Sequence, residues 1–233
     1  MAEYLSDEEQ VERLKRLART YGSSALTGIL LALTAYFGWS YWHKNQQAEQ
    51  FNATAQYQKV LDAQNSASLA PEDQAARTKF LSEASSLVKA HPDRAVAFQT
   101  LLLEAKVASD RQDYAAAEKA LTQASKMKID DAGLLQLAHL RLARAQAELS
   151  KLDAALTTLK AVTVPEFAPS AQELRGDILW RKNDSKGAQQ AYQAAWDALS
   201  KREEPRQLLQ VKMESLGMTV KEIDVPTPIK EAI

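Results

Sequence analysis

Cysteine is absent from the chain, which removes disulfides, thiolate nucleophiles and cysteine-ligated metals at once. Glycine and proline are scarce, seven of each, so the residues that most disrupt helices are rare while alanine, the best helix former, is plentiful. A basic surplus is also missing. The formal charge is −1 at pH 7, which argues against nucleic acid as a partner, because phosphate binding needs clustered positive charge. The three histidines, His43, His91 and His139, lie far apart, and none has a second ligand three or four residues away. There is no HExxH, no glycine-rich phosphate loop and no GxSxG. Acidic residues are scattered over helix faces, the usual solvated pattern. These absences lead to the expectation of no enzyme activity and no cofactor or metal, and of a protein that holds and positions other chains.

What is present begins with one uncharged stretch, Thr20 to Trp42. A helix rises about 1.5 Å per residue, so roughly 20 apolar residues cross a hydrocarbon core of about 30 Å. Tyr21 stands at one end and Trp39, Tyr41 and Trp42 at the other, the rings that prefer a membrane interface. Arg13, Lys15, Arg16 and Arg19 precede the stretch, whereas only Lys44 follows before Lys59. The positive-inside rule therefore predicts a single-pass span with a cytoplasmic N-terminus. A cleaved signal is disfavoured, because the bulky Phe37-Gly38-Trp39-Ser40-Tyr41-Trp42 end offers no small-residue cleavage site. A buried helix of a soluble protein is disfavoured too, since the polar chain that follows offers nothing to surround it. Within the span, Ser24, Gly28 and Ala32 recur every four residues, a spacing that lets a second membrane helix approach closely.

The flanks extend this plan. Ser6-Asp7-Glu8-Glu9 reads as a capping box, followed by a short amphipathic helix or a frayed tail, with Gly22 as its expected end. After the span a helical period continues to about Asn65, with a polar loop from there to Pro71 and a helix that stops at His91-Pro92. The expected organisation is a cytoplasmic amphipathic segment over 1–20 and a transmembrane signal anchor over 21–42. A tetratricopeptide-repeat-like domain follows over 43–218, then a flexible tail over 219–233.

The repeat itself is read by aligning three turns, Gln112-Asp113-Tyr114, Ser150-Lys151-Leu152 and Asn183-Asp184-Ser185, which stand 38 and 33 residues apart. Those offsets bracket the period of about 34 of a tetratricopeptide repeat. Small residues recur at Ala105, Ala143 and Gly176 and again at Ala117, Ala155 and Ala188. Leu121, Leu159 and Tyr192 follow, then Ala124, Val162 and Ala195. Such a pattern predicts antiparallel helix pairs stacked into an all-α solenoid, with a generic bundle of helical hairpins as the alternative. Two positions depart from it: Glu104 where leucine is expected and Gln146 where an aromatic is expected. A helix after Pro205, ended by Gly217, reads as the cap of the array.

In repeats of this kind the inner face of each first helix lines a groove. Its candidate partner-binding residues are Leu102 and Lys106 in the first unit, Leu140 and Arg144 in the second, and Asp177, Trp180 and Arg181 in the third. Gln99, Asp110, Leu137, Glu148 and Glu173 flank them. Mixed apolar and charged residues suit an extended or unfolded protein segment, and a solvated helix face is the alternative reading of each. The asparagine and lysine arrangement of a carboxylate clamp is missing.

Several stretches, in this order, resemble one family. They are Ser6-Asp7-Glu8-Glu9-Gln10-Val11-Glu12 with Leu14-Lys15, Gly38-Trp39-Ser40-Tyr41-Trp42, Leu140-Arg141-Leu142-Ala143-Arg144, and Leu174-Arg175-Gly176-Asp177. Gly187-Ala188 with Tyr192 and Ala195 adds a last piece. The chain is similar in these to the YfgM-type family, the ancillary subunit of the bacterial Sec translocon. The resemblance implies a bacterial inner-membrane protein with its repeat domain in the periplasm. It implies as partners the SecYEG translocon, the periplasmic chaperone PpiD, translocating or unfolded proteins and membrane lipid. It also implies a role in handing newly translocated chains to periplasmic chaperones. A repeat scaffold for another envelope process, such as cytochrome c maturation, is the alternative function.

Overall fold

Few breakers and much alanine give nine α-helices and one short 3-10 turn among the described residues. The computed structural model describes residues 7–70, 72–221 and 223, and for residues 7–10, 17–18 and 22–26 it describes the backbone alone. The capping-box serine, Ser6, and Pro71 lie outside the described residues. The chain divides into two compact units, Met1–Ala55 and Gln56–Ile233.

Helix α1 runs over Asp7–Leu69, which corrects two expectations. Gly22 does not end a helix: one glycine costs about 1 kcal/mol in a helix interior, too little to stop a run continued by alanine and leucine. The expected loop from Asn65 is also helical as far as Leu69. The break comes later, where Asp73 caps α2 (Gln74–Ala90) by accepting the N–H groups of Ala75 and Ala76 at 2.8 and 3.2 Å.

The repeats follow as antiparallel pairs. They are α3 (Ala95–Asp110) with α4 (Tyr114–Ala124), α5 (Ala132–Glu148) with α6 (Leu152–Leu159), and α7 (Ala168–Arg181) with α8 (Ser185–Ser200). A single helix, α9 (Gln207–Ser215), comes last. In the second unit Val60 and Ala63 of α1 are buried in the same core as Phe80, Leu87, Phe98 and Leu101, so the end of α1 and α2 supply the layer before the first pair.

Each pair closes with the same turn. Gln112, Ser150 and Asn183 take left-handed backbone, with φ of 61°, 59° and 60°. The N–H of the next residue then reaches back to the carbonyl five residues earlier: Asp113 to Ala108, Lys151 to Gln146 and Asp184 to Leu179, all at 2.9 Å. This is the Schellman closure, which satisfies carbonyls left over at a helix end. The same residue opens the following helix, and Asp113 and Asp184 accept the N–H groups of Ala116 and Gly187. One tripeptide thus stops one helix and starts its partner. Glu203, at φ 56°, and Gly217, at φ 72°, close α8 and α9 in the same way.

The small residues sit where the pattern puts them. Ala105, Ala143, Gly176, Ala117, Ala155 and Ala188 are all buried. Where Gly176 replaces alanine, Tyr192 replaces leucine, and a Cβ on Gly176 would overlap ring atoms Cδ1 and Cε1 of Tyr192. Val162 is a correction: α6 ends at Leu159, so Val162 lies in the loop beyond it and is only half-buried. The β-branched run Val162-Thr163-Val164 before Pro165 disfavours helix, and buried Gln136 fixes it by accepting the N–H groups of Thr163 and Val164 at 2.6 and 3.3 Å. Gln146, where an aromatic was expected, accepts the Thr158 hydroxyl at 2.7 Å and so ties α5 to α6.

The tail from Thr219 begins as packed chain. Val220 and Ile223 lie against the last core, and the Lys221 carbonyl accepts the Trp196 indole N–H at 3.2 Å. These two apolar residues pack beside the large buried ring of Trp196 at the start of the expected tail. Residues 224–233 lie outside the described residues.

Candidate functional site

The inner face of the first helices is less open than its sequence suggests. Leu102 and Leu140 retain only 9 % exposure each and belong to the core. Lys106 is exposed but bonds Asp110 on its own helix at 2.6 Å. Arg181 reaches back to the preceding pair, donating to Glu148 at 2.9 Å and to the Ala147 carbonyl at 3.1 Å. Arg144 is exposed, and Trp180 stays 51 % exposed.

The third unit's carboxylates are already engaged by α9. Lys212 donates to Glu173 at 2.8 Å and to Asp177 at 2.9 Å, and Arg206 donates to Glu173 at 2.8 Å. Burial pushes the Glu173 carboxyl up, but its bonds to Lys212 and Arg206 and their charges pull it below the usual value. Burial also works against the Lys212 ammonium, yet Asp177 and Glu173 outweigh it and raise its pKa. The Tyr192 hydroxyl donates to Asp177 at 2.7 Å, and burial together with that bond drives the phenol well above its ordinary range. Sequence reasoning missed this cluster, although a signal existed: Arg206 follows Glu173 by 33 residues, one repeat. Arg181 follows Glu148, and Lys151 follows Glu118, by the same interval. The more exposed of these, Arg181 with Glu148, contributes roughly 0–1 kcal/mol; each of the three joins one helix pair to the next element.

Two cavities open on the other side of these helices. One, of about 420 Å³, lies between α2, α3 and α4 and has Leu101, Glu104 and Ala108 of α3 in its wall. The other, of about 500 Å³, lies between α6 and α7 and has Ala171, Arg175 and Leu179 of α7 in its wall. At about 3.6 residues per turn, Leu101, Glu104 and Ala108 face away from Leu102, Lys106 and Asp110. Arg175 likewise faces away from Asp177 and Trp180. Burial raises the Glu104 carboxyl above its usual value, with Lys119 drawing it back in part. Glu104, which departs from the repeat, thus stands in a cavity wall.

In the first unit, Ile29, Leu30, Leu31, Leu33, Tyr36 and Phe37 of α1 are exposed, as are Tyr21, Trp39, Tyr41 and Trp42. Trp39 stacks on His43 with ring centroids 5.4 Å apart. Gly28 and Ala32 are exposed as well, and a Cβ on Gly28 would meet nothing within 4 Å; the side chain of Ser24 lies outside the described residues. Among the described residues no helix is long and apolar enough to cross a membrane: serine and threonine interrupt the run, and its far end is aromatic. Among them, too, no group of three or more histidine or acidic side chains could hold a metal ion.

Residues 15–218 match the family described as Tetratricopeptide repeat-like domain. The chain is 31 % identical over 216 residues to the ancillary SecYEG translocon subunit of Haemophilus influenzae, covering 93 % of this chain and 100 % of that protein. It is 31 % identical over 193 residues to the protein of that name in Escherichia coli strain K12, covering 82 % and 87 %. The counterpart in Neisseria gonorrhoeae is 28 % identical over 218 residues, covering 93 % and 100 %. No solved structure matches.

Proposed function

The chain belongs to the ancillary SecYEG translocon subunit family, and on that premise we propose that it is a membrane-anchored scaffold beside that translocon. The segment over 21–42 is the anchor, with the N-terminus in the cytoplasm and the repeats in the periplasm. The exposed apolar residues from Ile29 to Phe37, bounded by Tyr21 and by Trp39, Tyr41 and Trp42, support that reading: they cover no core, and the rings suit headgroup layers. Basic residues at Arg13, Lys15, Arg16 and Arg19 support the orientation. The small-residue stripe Ser24, Gly28 and Ala32 is the face on which a membrane helix of the translocon docks.

The repeat domain binds protein partners, among them the chaperone PpiD and chains leaving the channel, and helps pass the latter on. Its mechanism is localisation. The anchor keeps the solenoid near the channel exit, so contacts too weak to act in solution see a high effective concentration. On the inner face Arg144 and Trp180 are the exposed groups through which such contacts form, beside Lys106 and Arg181. Leu102 and Leu140 support the face from below, and Asp177 orients Lys212 and Tyr192.

The observation that carries the proposal is likeness to translocon subunits along nearly the whole chain, including the exposed apolar helix. Purification of the full-length protein from membranes in mild detergent tests it. SecYEG and PpiD are expected to co-purify, and a variant with charged residues in place of Leu30 and Leu33 should lose both. Recovery of neither from wild-type membranes, or of a different envelope machinery in their place, would overturn it.

A further inference from the structure

The residue just before the small position of each first helix is Glu104 in the first pair, Leu142 in the second and Arg175 in the third. Leu142 is buried at 6 % exposure and packs into the core. Glu104 and Arg175, at the same register, instead stand in the walls of the two cavities. Glu104, which is half-buried, is a poor choice for stability alone, since its carboxylate is partly desolvated.

The cavity between α2, α3 and α4 has a consistent chemistry. Leu81, Val88, Leu101 and Val107 give it apolar walls, and Leu81 is among the exposed large apolar residues of the chain. Arg77, Lys89, Arg111 and Lys119 surround it, against Glu104 alone on the acidic side. Arg77 is shared with Asp113 at 3.4 Å, whereas Lys89 and Lys119 are exposed to incoming groups. The pocket is therefore apolar at its base and positive at its mouth. Its complement is an apolar side chain with carboxylates beside it.

We propose that this outer cavity is a docking site for a segment of another protein in which a large apolar residue is flanked by acidic ones. The proposal rests on reading the chain as a scaffold for other proteins, but not on which proteins those are. A groove floored by α3 between α2 and α4 accepts such a segment along its length, with the apolar residue beneath and its acidic neighbours against Lys89 and Lys119.

Fluorescence anisotropy with the full-length protein in mild detergent tests this, using a labelled peptide of alternating phenylalanine and glutamate and a second with lysine in place of glutamate. The acidic peptide is expected to bind saturably and at least about tenfold more tightly than the basic one, with affinity falling as salt rises. Ala116→Trp, which puts a bulky ring into the cavity from an exposed position in its wall, should weaken binding about tenfold while leaving helicity unchanged. Lys119→Glu should weaken it comparably without altering the apolar wall, and Lys186→Glu, on α8 away from the cavity, should not. Equal binding of the two peptides, or undiminished binding by a folded Ala116→Trp protein, would overturn the proposal. So would a tenfold gain on removing residues 224–233, since the occupant would then be the chain's own tail. Co-purification of SecYEG is measured on the same variants; its loss from wild type with peptide binding intact would fail the translocon reading and leave this site standing.

Discussion

In α3/α4 an alanine at position 105 and a leucine at 121 build the helix contact, Glu104 stands in a cavity wall behind it, and Lys106 and Asp110 face solvent. In α7/α8 the same positions carry Gly176 and Tyr192, and Asp177 is bound by both Tyr192 and Lys212. The plan is shared and α3 and α7 each wall an outer cavity, but in the third pair the inner-face carboxylates Glu173 and Asp177 are bound from the α9 segment, whereas in the first Asp110 pairs with Lys106 of its own helix. The difference teaches that the last pair carries charges matched to the terminal helix, a load the first pair does not have. A solenoid end must satisfy charges and cover apolar surface that an internal pair hands to its neighbour.

The sharpest way to break that contrast is Gly176→Ala. Overpacking a close helix contact costs about 1–3 kcal/mol, and the overlap with Tyr192 places this variant at the upper end in urea unfolding. Adding Tyr192→Leu recreates the Ala105 and Leu121 combination and should recover much of the loss. A double-mutant cycle showing simple additivity would mean the two positions are not matched in size.

Removing the lock comes next. Lys212→Met leaves half-buried Glu173 and Asp177 short of a partner and should cost about 1–2 kcal/mol, seen first as faster amide exchange in α9. The pH dependence follows from the sign of the shift. The pKa of Glu173 is lowered in the folded state, so its contribution is full above the unfolded carboxylate pKa and is lost as pH falls through the folded value. The difference between wild type and Lys212→Met should therefore shrink on acidification below about pH 4.5.

Glu104→Leu acts in the opposite sense, with a smaller effect. The pKa of Glu104 is raised on folding, so at neutral pH its charge weighs against the native state, and that burden lifts as pH falls toward the unfolded carboxylate value. Leucine should add roughly 1 kcal/mol of stability at pH 7 from buried apolar surface, and the gain should be less near pH 4. Thermal unfolding at the two pH values checks this. The smallest effects belong to the turns: Gln112→Gly and Ser150→Gly relieve left-handed backbone and should each raise stability by about 0.5 kcal/mol. Asn183→Gly should gain less, because asparagine tolerates that conformation.

Much of the fold was legible because helix pairs are local. The turns at Gln112, Ser150 and Asn183 and the small residues at Ala105, Ala143 and Gly176 lie within one repeat of what they touch, and periodicity shows them. Gly22 misled because a lone glycine is a weak stop signal inside a long helical run, and Val162 because alignment by register ignores the β-branched segment that ends α6. The candidate groove was legible only in part. Leu102 and Leu140 lie on the predicted face, but the depth to which neighbouring pairs bury them is not local. The α9 lock depends on charges one repeat apart, and each, taken singly, resembles any solvated residue. Glu104 was visible as a departure from the pattern; that it borders a cavity depends on α2 and α4 together.

The central claim is association with the translocon. A photoreactive residue in place of Gly28, with a second protein carrying it at Trp39, in cells illuminated with SecYEG present, addresses it most directly. The account predicts covalent adducts with SecYEG subunits from one or both positions at ordinary protein levels, and their loss when Leu30 and Leu33 are replaced by charged residues. Stable full-length protein that yields no translocon adduct from either position would contradict it.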